Sequence, residues 1–283
     1  MSISPVVRRA LRFQDLLAIP GGDGPYLFTS MFRERDARER RRSRRQFRLL
    51  KRVDGTIREI VDSSETVLFL TEGRGFSYWE RWAVGWRRAV VLTDRRAIFL
   101  ELDAARRPRV LHRHLPYSAI SGIQEGRWGR IEVRTADGEI LELRGIRRAD
   151  RPDLIEGLRR GARTNRGDPA SPGIEQLCPY CHRGVQGRPR SCPTCLRRFG
   201  RAWLSGIYSL MVPGLGNFLR GYRGFAVLEL SMAVAIWAAY LLGAPAWGLP
   251  RLAGYVGPEW VFAAVHGADA IVTWYLARDE VFP

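Results

Sequence analysis

Lysine is almost missing from this chain of 283 residues: Lys51 is the one lysine among 46 basic residues. The cationic surface is therefore built from permanently charged, fork-shaped guanidinium donors, and the bias suits a GC-rich bacterial coding sequence. Acidic residues are also few, 29 in all, which leaves a net charge of +17. A surplus that large implies a polyanionic neighbour, either nucleic acid or an anionic lipid surface. Cysteine is limited to four residues, all in two C-x2-C pairs. In a reducing compartment such pairs bind metal more often than they form structural disulfides, with a redox dithiol as the alternative. The opening residues "MSISPVVRRALRF" have no apolar core of a secretion signal, so export of the long front half is not expected. No solenoid repeat is present.

The length suits two or three units. Residues 1–47 read as a basic arm, partly helical. Between Arg33 and Arg52 there are eleven basic and three acidic residues, and Glu34/Arg38 and Asp36/Arg40 have the i,i+4 spacing that supports a helix. Such an arm is either a solvated charged surface or a contact for an anionic leaflet. Beyond it the chain changes to short β-type runs: "TVLFLT", "RAVVLT", "AIFLEL", "RVLHRHLP", "GRIEVRT" and "EILELRG". "TDR" at Thr93–Arg95 joins two of them, and "ADGE" at Ala136–Glu139 carries a hairpin Asp-Gly pair. The six runs close on "ADRPDLIEGLRRGAR", where Asp150 and Pro152 open a helix with Leu154, Ile155 and Leu158 as its apolar stripe.

The segments "RRAVVLTDRRAIFL", "LPYSAISGI" and "GRIEVRTADGEILELRGI" with their closing helix resemble the bacterial pleckstrin-homology-like (PH-like) domains, related in fold to GRAM domains. The resemblance covers residues 48–163. It implies a small β-barrel or sandwich capped by a C-terminal helix, a scaffold that binds lipids or proteins and is not catalytic. Residues 164–177 have a linker's content of Pro, Gly, Ser and Asn.

Cys178, Cys181, Cys192 and Cys195 then form C-x2-C, ten residues, C-x2-C. Two knuckles of this form place four thiolates around a tetrahedral Zn²⁺ at about 2.3 Å, and a loop so poor in apolar residues needs the ion to fold. The stretch 178–199 resembles a zinc ribbon, with His182 and Leu196 where glycine commonly follows the second cysteine of a knuckle; His182 is expected to be exposed. Arg183, Arg188, Arg190, Arg197, Arg198 and Arg201 accompany it with no acidic residue between them. They can track nucleic-acid phosphates, yet only Phe199 offers a stacking ring. Their position before a hydrophobic segment instead fits the positive-inside rule.

Three apolar segments follow, 202–219, 225–243 and 259–277. The last two are long enough, at about 28 Å as helix, to cross a bilayer. The first is interrupted by "PGLGN", Pro213–Asn217, which frees backbone groups that lipid cannot satisfy. It reads as re-entrant, with a full first span as the alternative, and charge counting favours two spans with both termini cytoplasmic. "VPGLGNFLRGYRGFAVLEL" also resembles the small two-transmembrane-segment domain family, which implies an anchor or partner-binding hairpin over residues 205–275.

Glu229, His266 and Asp269 lie inside these segments. An Asp at a helix centre costs about 2.5–3.5 kcal/mol, so such groups face protein and often mark function. They read as a polar clasp between helices, or as a proton relay or active site. Arg74, Arg81, Arg87 and Arg88 surround Phe76, Tyr78, Trp79, Trp82 and Trp86 between the first two strands. These suit insertion into an interface with arginine pairing to lipid phosphate. His112 and His114 share one face of a strand, expected to be exposed.

The expected molecule has several domains: a mainly β PH-like domain, a small zinc ribbon and an α-helical membrane hairpin. Its expected place is the inner membrane, with the N-terminal domains in the cytoplasm. Its expected role is a non-enzymatic, membrane-anchored adaptor that meets anionic phospholipid or a membrane protein such as a transporter. The alternatives are a membrane enzyme or proton-coupled carrier using Glu229, His266 and Asp269, and a zinc-ribbon nucleic-acid binder.

Overall fold

The computed structural model describes residues 24–27, 31, 37–74, 87–103, 106–165, 173–187, 189–242 and 257–278. The chain divides into two compact units, the first comprising residues 1–177 with 182–186, the second 178–181 with 187–283.

The first unit is an antiparallel β domain with helices on two sides. Helix α1 (Ala37–Ile60) precedes strands β1 (Val67–Arg74), β2 (Arg87–Thr93), β3 (Arg96–Leu102) and β4 (Pro108–Pro116). Strands β5 (Ile120–Glu125), β6 (Ile131–Thr135) and β7 (Ile140–Leu143) make a second sheet, closed by helix α2 (Arg151–Thr164). Strands β8 (Glu175–Leu177) and β9 (Gly184–Val185) extend the first sheet to the order β1-β2-β3-β4-β8-β9.

Alternation along β2 and β3 explains why both faces of the first sheet are buried. Val90, Leu92, Ala97 and Phe99 face Leu115, Tyr117, Ile131, Val133, Leu143, Leu154 and Leu158 in one core. Ala89, Val91, Ile98, Leu100 and Leu102 face Leu49, Leu50, Val53, Ile57 and Ile60 of α1 in the other. The basic segment is therefore not a free arm from residue 37 onward. Its helix runs through Ile60, well past residue 47, because an apolar stripe repeats at helical spacing beneath the arginines. The pairs Glu34/Arg38 and Asp36/Arg40 include residues outside the described ones.

The "LTDRR" turn is a structural joint. Thr93 Oγ accepts the backbone N–H of Arg95 at 3.1 Å and of Arg96 at 3.0 Å. Asp94 accepts the Thr66 N–H at 2.9 Å. Arg96 grips Glu65 through Nε at 3.0 Å and Nη2 at 2.8 Å, and donates to the Ile60 carbonyl at 3.0 Å, capping the C-terminus of α1. Burial alone would raise the Glu65 carboxyl, but the Arg96 fork and the Thr93 hydroxyl outweigh it and hold that carboxyl below the ordinary range. In "LPYSAISGI", Tyr117 is a core plug whose hydroxyl donates to the Thr93 carbonyl at 2.8 Å. Gly161 of α2 lies against its ring, where an added Cβ would come within 2.5 Å.

His112 and His114 are buried, 3% and 7% exposed, not surface positions. The reason is β8: it pairs with β4 at His112/Leu177 and His114/Glu175, turning an expected sheet edge into interior. His114 Nε2 lies 3.0 Å from Glu175 Oε2.

In the second unit, helix α3 (Ala202–Met211) is followed after a break by α4 (Leu215–Leu219) and α5 (Arg223–Leu242). Helix α6 (Pro258–Phe262) continues through a π-turn (Ala263–Gly267) into α7 (Ala268–Ala277). Two helical stretches, Arg223–Leu241 and Pro258–Ala277, are long and apolar enough to cross a membrane. Val227, Leu230, Val234, Ile271 and Trp274 are among their exposed apolar side chains. Residues 202–219 make two short helices instead of one span.

Candidate metal centre and polar cluster

The four cysteine sulfurs lie within 4.8 Å of one another. Cys178 Sγ is 3.8 Å from Cys195 Sγ, and Cys181 Sγ is 3.6 Å from Cys192 Sγ. Those gaps are far beyond a disulfide bond of about 2.05 Å. They match the edge of a tetrahedron whose corners stand about 2.3 Å from a central ion, roughly 3.8 Å. The donor set thus fits a metal that prefers four thiolates. The local backbone supports it: Leu196 N–H donates to the Cys192 carbonyl at 2.9 Å, and Cys192 N–H to the Arg197 carbonyl at 2.9 Å. His182 and Leu196, the residues in glycine's usual place, have φ of 56° and 60°. The knuckle keeps its left-handed turn without glycine, at about 1–2 kcal/mol for each such residue. A metal bond is strong enough to offset this. His182 is outside the cluster and half-buried instead of exposed; its Nε2 is 3.6 Å from Glu59 Oε2.

The second cluster forms where the first apolar segment breaks. Pro213 and Gly214 end α3, and Gly214 takes a left-handed φ of 82° with the Ala226 carbonyl so near that an added Cβ would lie 2.4 Å from its oxygen. The break frees N–H groups that have no partner within a helix. Asp269 Oδ2 accepts the Gly214 N–H at 2.8 Å, and Ser209 Oγ accepts the Gly216 N–H at 3.2 Å. Asn217 Nδ2 donates to both Glu229 oxygens, at 3.0 and 2.9 Å, and lies 3.0 Å from Thr273 Oγ1. Ser209 Oγ and Thr273 Oγ1 are 3.0 Å apart. Arg220, 3% exposed, donates to Asn217 Oδ1 at 2.9 Å and to the Leu276 carbonyl at 3.0 Å. Residues from α3, α4, α5 and α7 are thereby tied into one network.

Glu229 and Asp269 both enter this network, Glu229 through Asn217 and Asp269 through the Gly214 N–H. His266 belongs to a separate group: its Nδ1 is 3.0 Å from the Leu210 carbonyl, Trp237 Nε1 donates to its Nε2 at 3.2 Å, and Phe262 stacks on it at 4.3 Å. The π-turn over Ala263–Gly267 is the physical reason. It departs from the 3.6-residue register that would stack His266 under Asp269. Asn217, Ser209, Thr273 and Arg220 were not singled out from sequence. The signal for Asn217 and Ser209 was the "PGLGN" break, which demands nearby hydrogen-bond partners.

Of the arginines expected to meet lipid phosphate, Arg88 is 3% exposed and its Nη2 donates to buried Glu101 at 2.9 Å. A guanidinium buried between strands and already matched to a carboxylate is not a surface anion site, so that expectation is corrected. Arg87 Nη1 donates to Glu72 at 2.7 Å, and Arg74 is exposed at the end of β1. Arg81, and the aromatic residues Phe76, Tyr78, Trp79, Trp82 and Trp86, lie outside the described residues.

No family model and no curated protein matches the chain. A solved structure, the C-terminal domain of an unknown protein from Leishmania infantum, is similar to 40% of this chain and to 93% of its own length. The identity is 17% and the TM-score 0.28, a likeness too weak to say anything about fold.

Proposed function

We propose that this chain is a membrane-anchored binding or adaptor protein, with a PH-like first unit, a structural zinc ribbon at the four cysteines and an anchor made of two spanning helices. The observation that carries this reading is the bonding of the intramembrane polar groups. Asp269 serves the freed Gly214 N–H and Glu229 serves Asn217, so both carboxylates hold the broken helix against the spanning ones. A clasp of this kind makes a rigid anchor and explains costly groups in lipid without chemistry. The basic surfaces and the double-sided sheet suit a domain that binds an anionic surface or a membrane protein such as a transporter.

The test is purification of the full-length chain in mild detergent, followed by mass spectrometry of co-purifying proteins and lipids. A stoichiometric membrane protein or a retained anionic lipid is the expected result. Recovery of neither, together with loss of a cellular transport or catalytic activity in an Asp269→Asn chain that still assembles, overturns the adaptor reading in favour of a carrier or enzyme.

A further inference from the structure

The polar side of α1 carries more positive charge than the fold uses. Arg42, Arg45, Arg48 and Arg52, spaced by three and four residues, stand on one side of the helix. Arg106 and Arg147 reach the same place from two other segments, and the six line a cavity of about 240 Å³. Two carboxylates share that cavity, and both are already matched. Asp150 meets Arg42 Nε at 2.6 Å and the Thr71 hydroxyl at 2.9 Å. Glu72 meets Arg87 at 2.7 Å and Arg106 at 3.3 Å. Among the described residues, no carboxylate is recorded in an ion pair with Arg45, Arg48, Arg52 or Arg147. Like charges gathered in a concavity repel, and a bound anion relieves them.

A buried atom points to the same place. Gln46 lines the cavity and is 4% exposed. Its Nε2 donates to the Leu70 carbonyl at 2.9 Å, which fixes the amide, and its Oε1 is buried with no hydrogen bond. Buried acceptors are rarely left so, and a ligand hydroxyl is the group that would satisfy this one. The volume falls below the roughly 300–1,000 Å³ of drug-sized pockets, which suits a small phosphate ester and excludes a dinucleotide.

We infer that this cavity binds a phosphorylated polyol, its phosphate held by Arg45, Arg48, Arg52 and Arg147 and a hydroxyl donated to Gln46 Oε1. The inference rests on the reading of the first unit as a binding module. It places the anion contact on α1, away from the arginines of the loop between β1 and β2.

The full-length chain in phosphatidylcholine nanodiscs is titrated calorimetrically with glycerol 3-phosphate and with inorganic phosphate. Glycerol 3-phosphate is expected to bind more tightly than phosphate. The Arg48→Gln/Arg52→Gln chain is expected to lose about tenfold in affinity for each arginine removed. An Arg40→Gln/Arg44→Gln chain, altered on the same helix outside the cavity, is expected to bind as before. Repeating the titration in phosphatidylglycerol nanodiscs separates two sources of the same chemistry. Weakened binding of the soluble probe assigns the site to a lipid headgroup, and unchanged binding assigns it to a soluble phosphate ester; either supports the site. Absence of binding, no preference over inorganic phosphate, or equal loss in the two double variants overturns it. A membrane partner can still co-purify in those cases, so failure of the site is distinguishable from failure of the adaptor reading.

Discussion

Replacing Asp269 by leucine removes the acceptor for the Gly214 N–H, which Asp269 Oδ2 holds at 2.8 Å in the break between α3 and α4. Among the described residues, Asp269 is the side chain that accepts the Gly214 N–H. A buried donor left unsatisfied costs about 1–3 kcal/mol. Hydrogen bonds between membrane helices average about 0.6 kcal/mol, with a maximum near 1.7, because the unfolded chain in lipid also finds partners. The two ranges overlap at about 1–2 kcal/mol, the loss expected for Asp269→Leu. Asp269→Asn keeps a carbonyl oxygen in the same place and should lie within about 0.5 kcal/mol of the unaltered chain. Reversible unfolding in mixed micelles of sodium dodecyl sulfate, followed by tryptophan fluorescence, measures both. Equal destabilisation by leucine and asparagine would show that the ionised carboxylate, and not its acceptor oxygen, is what the site needs, and the clasp argument would fall.

Arg88→Gln should destabilise the first unit by about 3–5 kcal/mol, because Glu101 is left as an unpaired buried charge; a melting temperature near that of the unaltered chain would contradict this. Leu50, fully buried between α1 and the sheet, should cost about 2–5 kcal/mol on replacement by alanine, readable by urea denaturation. Cys192→Ser should abolish the one equivalent of zinc expected by elemental analysis of the purified chain, and a strong chelator should make residues 178–199 protease-sensitive. Glu65, held below its ordinary range by Arg96 and Thr93 against the opposing effect of burial, contributes stability that is present at neutral pH. That contribution is lost as pH falls from the unfolded value near 4.3 through the folded one. Glu65→Gln should therefore flatten the acid limb of stability against pH, and an unchanged limb would assign acid unfolding to other groups.

What was legible in the sequence depended on how local the cause is. Four cysteines declare themselves by spacing, since the knuckle is closed by residues within a few positions of each other. Asp269 and Glu229 stood out because a carboxylate in an apolar segment is expensive wherever it lies. Their partners did not, because Asn217 and Thr273 are ordinary residues whose meeting across the fold is set by packing. The helix of α1 was visible but its attachment was not: eleven basic charges hid the stripe of Leu49, Leu50, Val53, Ile57 and Ile60. Strand β5 was read only within a motif, since Ser121, Gly122 and Gln124 dilute its alternation. The burial of His112 and His114 has a topological reason: strand β8, at the end of the segment 164–177 that reads as a linker, covers the edge. The "PGLGN" break shows how far such non-local facts can be reached from sequence. Backbone groups freed inside an apolar segment require acceptors, and the neighbouring segments offer two carboxylates inside them, Glu229 and Asp269. Which of the two answers the freed amide is decided by packing, and the structure gives Asp269, whose Oδ2 accepts the Gly214 N–H at 2.8 Å.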